Sequence, residues 1–129
     1  MRVVYDTSVV VTIFARRGQI LKFKRDILIG RVIAITSDYI LAETEAVLSD
    51  KFQLTKQRAK SHTRLYARIA IGVNPDDIQK ISRDSRDDPI LATAVAGHAK
   101  YIVTLDKDLL VLKEYKGVLI ITPAEFGEI

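Results

Sequence analysis

Apolar and polar positions along the chain change period several times, and each change marks an element. Val3, Val4 and Tyr5 form an apolar run with no polar face, the pattern of a short strand buried on both sides in a parallel sheet. Asp6 breaks the run, and Ser8 to Ala15 then reads as a helix ending near Arg16, Arg17 and Gly18. A second helix is predicted from Gln19 to Ile29, with Leu21, Ile27 and Leu28 toward a core and Gly30 as its stop. Val32 to Thr36 is the second strand. Thr36, Ser37 and Asp38 supply capping side chains for a helix from Tyr39 to Ser49.

Leu54 to Gly72 is the longest helical stretch, opened by Thr55, and Asn74-Pro75-Asp76-Asp77 is a turn. Ile78 to Ile81 reads as a short strand. Asp87-Asp88-Pro89 opens another helix: proline suits the first turn and keeps the residue before it out of the α region, so Asp88 is expected to cap. Helix formers run from Ala92 to Ala99, strands follow at Tyr101 to Thr104 and Val118 to Thr122, and a turn or helix starts at Pro123. Strands alternating with helices predict an α/β fold with a mainly parallel sheet, whose crevice lies beyond the carboxyl ends of the strands. A chain of 129 residues is read as one domain, residues 1–129.

Composition narrows the chemistry. The absence of Cys excludes disulfides, thiolate catalysis and Cys-based zinc sites. A strand pattern beginning directly after Met1 leaves no room for a signal peptide, and no apolar run approaches membrane-spanning length, so a cytoplasmic location away from the membrane is expected. Lys and Arg outnumber Asp and Glu by 20 to 16. Basic residues gather at Arg16, Arg17, Lys22, Lys24 and Arg25 and again at Lys51, Lys56, Arg58, Lys60, Arg64 and Arg68. Acids gather at Asp84, Asp87, Asp88, Asp106 and Asp108. An acidic focus in a basic frame suits a metal site that faces phosphates.

Four acids fall at one end of the predicted sheet. A carboxylate flanked by valines is costly unless paired or bound to a cation, and Asp6 ends the first strand. Asp106 follows the strand Tyr101 to Thr104, where capping of a short turn is the competing role. Glu43 lies between Ile40 and Val47 on the inward stripe of its helix, with a snorkelling acid as the alternative, whereas Glu45 is off that stripe. Asp87 precedes Ile90 and Ala94 by three and seven. Nearby Asp88 is assigned to capping and Asp84 to a solvated turn, though either could replace Asp87 or support it. Four converging carboxylates cannot all stay ionised without cations, and oxygen ligands without His or Cys suit Mg²⁺ or Mn²⁺. His62 and His98 fall on helical segments away from this edge.

These acids carry a resemblance. Val-Val-Tyr-Asp-Thr-Ser, Leu-Ala-Glu-Thr-Glu-Ala-Val-Leu, Arg-Asp-Ser-Arg-Asp-Asp-Pro-Ile-Leu-Ala-Thr-Ala and Tyr-Ile-Val-Thr-Leu-Asp-Lys-Asp-Leu-Leu, in this order and spacing, resemble the PIN domain family, in particular the VapC-like toxin components of toxin–antitoxin systems. The resemblance implies a three-layer α/β/α fold with a mainly parallel central sheet. By position it assigns catalysis and metal binding to Asp6, Glu43, Asp87 and Asp106, with Asp88 the alternative third acid, and site support to Ser8 and Thr104. It further implies an endoribonuclease dependent on Mg²⁺ or Mn²⁺, an RNA substrate, a small antitoxin partner and a homodimer. The apolar residues Val9, Val10, Ile13 and Phe14 could serve dimerisation or antitoxin binding, with burial in the core preferred.

Two other classes compete. A Mg²⁺-binding receiver-like signalling domain would want two adjacent acids after the first strand and a phosphoacceptor such as Asp38, and would leave Glu43 and Asp87 without a role. A non-catalytic RNA-binding or interaction module would not need the acids intact.

Overall fold

The computed structural model describes the backbone of residues 1–15 and 19–129 and the side chains of residues 1–13 and 22–129. Its elements are, in chain order, β1 (Arg2–Tyr5), α1 (Thr7–Ala15), α2 (Gln19–Leu28), β2 (Ile33–Thr36), α3 (Asp38–Asp50), α4 (Lys56–Ile69), β3 (Ile71–Gly72), α5 (Asp88–Ala96), β4 (Tyr101–Val103), α6 (Lys107–Leu110), β5 (Glu114–Tyr115), β6 (Val118–Ile121) and α7 (Pro123–Gly127). The strands form one sheet in the order β3-β2-β1-β4-β6-β5. Every pairing is parallel except that of β5 with β6.

Both faces of the sheet are covered. Val4 is in register with Ile35 on one side and Ile102 on the other, so the three share a face. Gly97, at the end of α5, lies so close to Ile35 that a Cβ there would collide with it, which puts α5 on that face. Tyr5, one residue on, points the other way: it stacks on Phe23 of α2 at 5.7 Å between ring centroids and meets Phe126 of α7 edge-on at 6.0 Å. The result is the expected three-layer α/β/α arrangement. Val9, Val10 and Ile13 of α1 are buried in the same core, so the apolar face of that helix is used for packing.

Chain order runs outward from β1 through β2 to β3, then returns to β4 on the other side of β1. The carboxyl ends of β1 and β4 therefore flank a topological switch point, where crevices form in open parallel sheets. Local chemistry fixes the helices around it. The Ser37 side chain accepts the Ile40 N–H to start α3, Thr55 does the same with Arg58 for α4, and Thr122 with Glu125 forms a capping box for α7.

Several expectations need correction. Leu28 is 61 % exposed while Ile27 is buried; adjacent helical residues point about 100° apart, so only one of them can face the sheet. The α4 pattern overruns its helix, which stops at Ile69, and Ile71–Gly72 is an edge strand against Ile35 and Thr36. The strand expected at Ile78 to Ile81 is absent; both isoleucines are exposed on a loop. The antiparallel strand β5 was not anticipated. It is turned onto β6 through Lys116 (φ 47) and Gly117 (φ 84), a two-residue turn of the primed kind written without Asn-Gly. The helix end expected near Arg16, Arg17 and Gly18 and the inward placing of Phe14 and Leu21 lie outside the described residues. Among the described residues no helix is long and apolar enough to cross a membrane.

Candidate active site

Asp6 stands where β1 ends, and its N–H donates to the Val103 carbonyl of β4 at 3.0 Å. Asp6 is 6 % exposed. Oδ1 accepts the Thr7 N–H and Oδ2 accepts the Thr104 hydroxyl, both at 2.7 Å. Burial raises the Asp6 pKa above the ordinary carboxylate range; these two hydrogen bonds oppose the rise, and the charges of Glu43 and Asp106 add to it. Thr104 has a second role, since its oxygen accepts the Asp106 N–H at 2.9 Å. One buried hydroxyl thus ties the ends of β1 and β4 together and sets the backbone that presents Asp106.

Asp106 fills both roles considered from sequence. It caps α6, Oδ1 accepting the Asp108 N–H at 2.8 Å, and it also lines the crevice. Glu43 comes from α3, on a row with Val47 and Lys51 that faces the crevice, beside the buried row of Ile40, Thr44 and Leu48. Its Oε1 accepts the Thr7 hydroxyl. The Tyr39 hydroxyl, one turn earlier, lies 3.1 Å from Oε2 and 2.9 Å from the Arg86 carbonyl, so its single proton serves one of them at a time. Burial first and Glu43 second push the Tyr39 hydroxyl up to about 12.

Asp87 precedes α5 and makes no cap hydrogen bond with its side chain. It is 6 % exposed, and its Oδ2 is buried with no hydrogen-bond partner among the described residues. Its carboxyl is pushed up to about 7, by burial first and then by the charges of Asp106, Asp6 and Asp84. A buried acceptor without a donor, surrounded by other carboxylates, is what a cation would relieve.

Asp88 does not cap α5. It is the first residue of the helix, and its carboxylate turns back to accept the Ile81 N–H at 3.1 Å, the Ser82 N–H at 2.7 Å and the Ser82 hydroxyl at 2.8 Å. Burial opposes its ionisation, but these bonds and Lys80 hold it below the usual range. Asp88 therefore anchors the loop that carries Asp84 and Asp87. Asp84 sits half-buried on the bend before Asp87, as a turn residue that also has a partner. It pairs with Arg86 at 2.6 Å, which lowers its pKa, and it lines the crevice.

The crevice is an open cleft of about 510 Å³ to which Asp6, Glu43, Asp87 and Asp106 all contribute. Lys51, Asp84 and Arg86 join them on its walls, as do Thr7 and an exposed Ser8. His62 and His98 do not line it. Within it the acids are not equidistant. Among the described residues, the set of three whose carboxylate oxygens lie within 4.8 Å of one another is Asp84, Asp87 and Asp108, with Asp108 also paired to Arg83 at 2.8 Å. The donor set is oxygen only, which fits a hard divalent cation such as Mg²⁺ or Mn²⁺.

A sequence model of the PIN domain matches residues 2–108. The chain belongs to the PIN domain family. Membership implies nuclease activity in general. The matched span of this PIN domain contains Asp6, Glu43, Asp87 and Asp106. No curated protein sequence matches it. Its fold is similar to a chain in the crystal structure of VapBC2 from Rickettsia felis bound to a DNA fragment from their promoter, at 14 % identity and a TM-score of 0.65 over 95 % of this chain and 98 % of that one. It is also similar to a chain of FitAcB from Neisseria gonorrhoeae, at 16 % identity and a TM-score of 0.58 with the same coverage.

Sequence reasoning gave no individual role to three residues that support or adjoin the PIN domain's cleft. Thr7, overlooked beside Asp6, gives its N–H to Asp6 and its hydroxyl to Glu43. Tyr39 precedes Glu43 by four, a helical neighbour spacing that was there to be used. Asp108 precedes nothing periodic, and only the turn of α6 brings it to Asp84 and Asp87.

Proposed function

We propose that this PIN domain is an endoribonuclease dependent on Mg²⁺ or Mn²⁺, and the toxin of a toxin–antitoxin pair. The observation that carries the reading is the Asp87 carboxylate: buried, with Oδ2 unpartnered, and flanked by Asp6, Asp84 and Asp106 in one open cleft. Asp6, Asp87 and Asp106 would hold the cation directly, with Glu43 directly or through water. A divalent ion bound there supplies an activated water and positive charge for the phosphodiester's developing negative charge.

The chain's own residues supply the rest. Thr104 and the Thr7 N–H keep Asp6 oriented and favour its ionised form. The Thr7 hydroxyl and Tyr39 hold Glu43 at the cleft wall. Arg86 and Lys51 provide cations on those walls that can meet substrate phosphates. Cleavage needs no Ser, Cys or His nucleophile on this reading. A small antitoxin and a second copy of the chain are the proposed protein partners, in keeping with neighbours solved as VapBC2 and FitAcB. We place the work of this single unit, residues 1–129, in the cytoplasm, where its RNA is.

The receiver-like alternative loses support. Receivers have the strand order 2-1-3-4-5, whereas this sheet is ordered β3-β2-β1-β4-β6-β5 and Asp38 is exposed at the start of α3. A crystal soaked in Mn²⁺ tests the metal assignment through anomalous density. Density touching Asp87 with Asp6 or Asp106 supports it. Density confined to Asp84 and Asp108 moves the centre away from the switch point, and no density at any of them leaves a non-catalytic module as the better reading.

A further inference from the structure

Helix α4 carries Lys56, Arg58, Lys60, Arg64 and Arg68 and no acid. Four of these, Lys56, Lys60, Arg64 and Arg68, recur at every fourth position and so form a ladder along one side of the helix. The face made by Ala59, Thr63 and Tyr66 is buried, which turns the ladder to solvent. All four cations are exposed, and none takes part in an ion pair among the described residues. Like charges four residues apart oppose the helix that carries them.

The cleft needs what the ladder offers. Its five acids repel a phosphate backbone and outnumber the two cations on its walls, Lys51 and Arg86, so further affinity for a polyanion has to come from cations beyond it. Lys51 lines the cleft on the row that begins with Glu43, and it leads into α4, which packs against α3. Helical rise puts successive ladder cations about 6 Å apart and its ends about 18 Å apart, the scale of successive phosphates in an extended single strand.

Resting on the ribonuclease reading of the cleft, we propose that the α4 ladder is a backbone track for single-stranded RNA leading to the cleft. A protein partner fits this face less well. Interface cores are poor in Lys and are built on buried aromatic or apolar anchors; among the described residues of α4 one large apolar side chain, Leu65, stands exposed beside the cations, with Phe52 in the loop before the helix. A backbone track reads no bases, so it adds affinity without adding sequence preference.

The test is the salt dependence of binding to a single-stranded RNA of about a dozen nucleotides, measured by fluorescence anisotropy in EDTA so that nothing is cut. A variant carrying Lys56→Gln, Lys60→Gln, Arg64→Gln and Arg68→Gln keeps good helix formers, and circular dichroism checks its fold. Each phosphate contact on a single strand adds about 0.7 to the slope of log K against log salt, so the slope should fall by about 3. A control with Lys24→Gln, Arg25→Gln, Lys80→Gln and Lys113→Gln removes the same charge from other faces and should change the slope by less than about 1. Cleavage of a dinucleotide, which reaches only the cleft, should be unchanged in the ladder variant. If the fourfold variant does not fold, Lys60→Gln and Arg64→Gln singly should each lower the slope by about 0.7. An unchanged slope, or an equal fall in the control, overturns the proposal; so does a variant that loses only an acidic peptide and keeps RNA. If the wild type binds RNA with the ladder-dependent slope yet cuts none in Mn²⁺, the track stands and the ribonuclease reading of the cleft falls.

Discussion

The Thr104 hydroxyl donates to Asp6 Oδ2 at 2.7 Å, a bond between residues 98 positions apart in the chain. It joins the ends of β1 and β4 across the switch point, and both partners are buried. Thr104→Val keeps the shape and removes the donor, leaving Asp6 Oδ2 and the Asp106 N–H unsatisfied. The expected cost is about 1–3 kcal/mol in chemical denaturation, with weaker Mn²⁺ binding by calorimetry. Thr104→Ser should recover most of both.

Asp87 makes metal-free stability depend on pH in a definite direction. Its folded pKa is raised from 3.8 to about 7, so between those values the folded state keeps a proton that the unfolded chain has released. Stability therefore falls as pH rises from about 4 to about 7 and levels off above that. Asp6 is shifted the same way and adds to the slope. In EDTA the melting temperature should be higher at pH 5 than at pH 7.5, Asp87→Asn should flatten the difference, and Mn²⁺ should stabilise more at pH 7.5 than at pH 5.

Asp88 distinguishes a loop anchor from a helix cap. Loss of a cap costs about 1 kcal/mol. Asp88→Ala removes the acceptor of two backbone N–H groups and one hydroxyl, and should cost about 2–4 kcal/mol in urea denaturation. Hydrogen exchange at Ile81 and Ser82 should rise with it, because those amides lose their partner.

Gly97 is required for space. Its φ is −86, and the left-handed residue that ends α5 is His98 at φ 53. A Cβ at Gly97 would strike the Ile35 side chain on β2. Gly97→Ala should destabilise by about 1–3 kcal/mol in thermal melts, and the loss should be partly rescued in an Ile35→Ala background, where the Cγ2 methyl that the new Cβ strikes is gone, so that the double variant is destabilised by less than the sum of the two single changes. A glycine chosen for its backbone freedom would show no such rescue.

Much of this was legible in the sequence because the signals were local. Asp6, Glu43 and Asp87 each sat beside an apolar stripe, and Asp106 closed an apolar run, so periodicity alone sent all four to one edge of the sheet. Ser37 and Thr55 announced the helices they cap. What failed depended on distant partners. Asp88 looks like a cap until the loop at Ile81 and Ser82 folds back onto it, and β3 and β5, two residues each, have no period to read. The grouping of Asp84, Asp87 and Asp108 and the pairing of Thr104 with Asp6 exist only once β4 lies beside β1. Gly97 passed without a role among the helix formers from Ala92 to Ala99, and only the packing on Ile35 gives it one.

The central claim is that carboxylates gathered at the switch point hold a divalent ion that cuts RNA. The most direct measurement is the rate of single-stranded RNA cleavage in Mn²⁺ by the wild type and by Asp6→Asn, with EDTA as the blank. The account predicts cleavage by the wild type, none in EDTA, and a loss of about a hundredfold or more in Asp6→Asn, the size expected when a metal-site ligand and its supports are disturbed. A variant Asp6→Asn that folds and cuts RNA as fast as the wild type would contradict it.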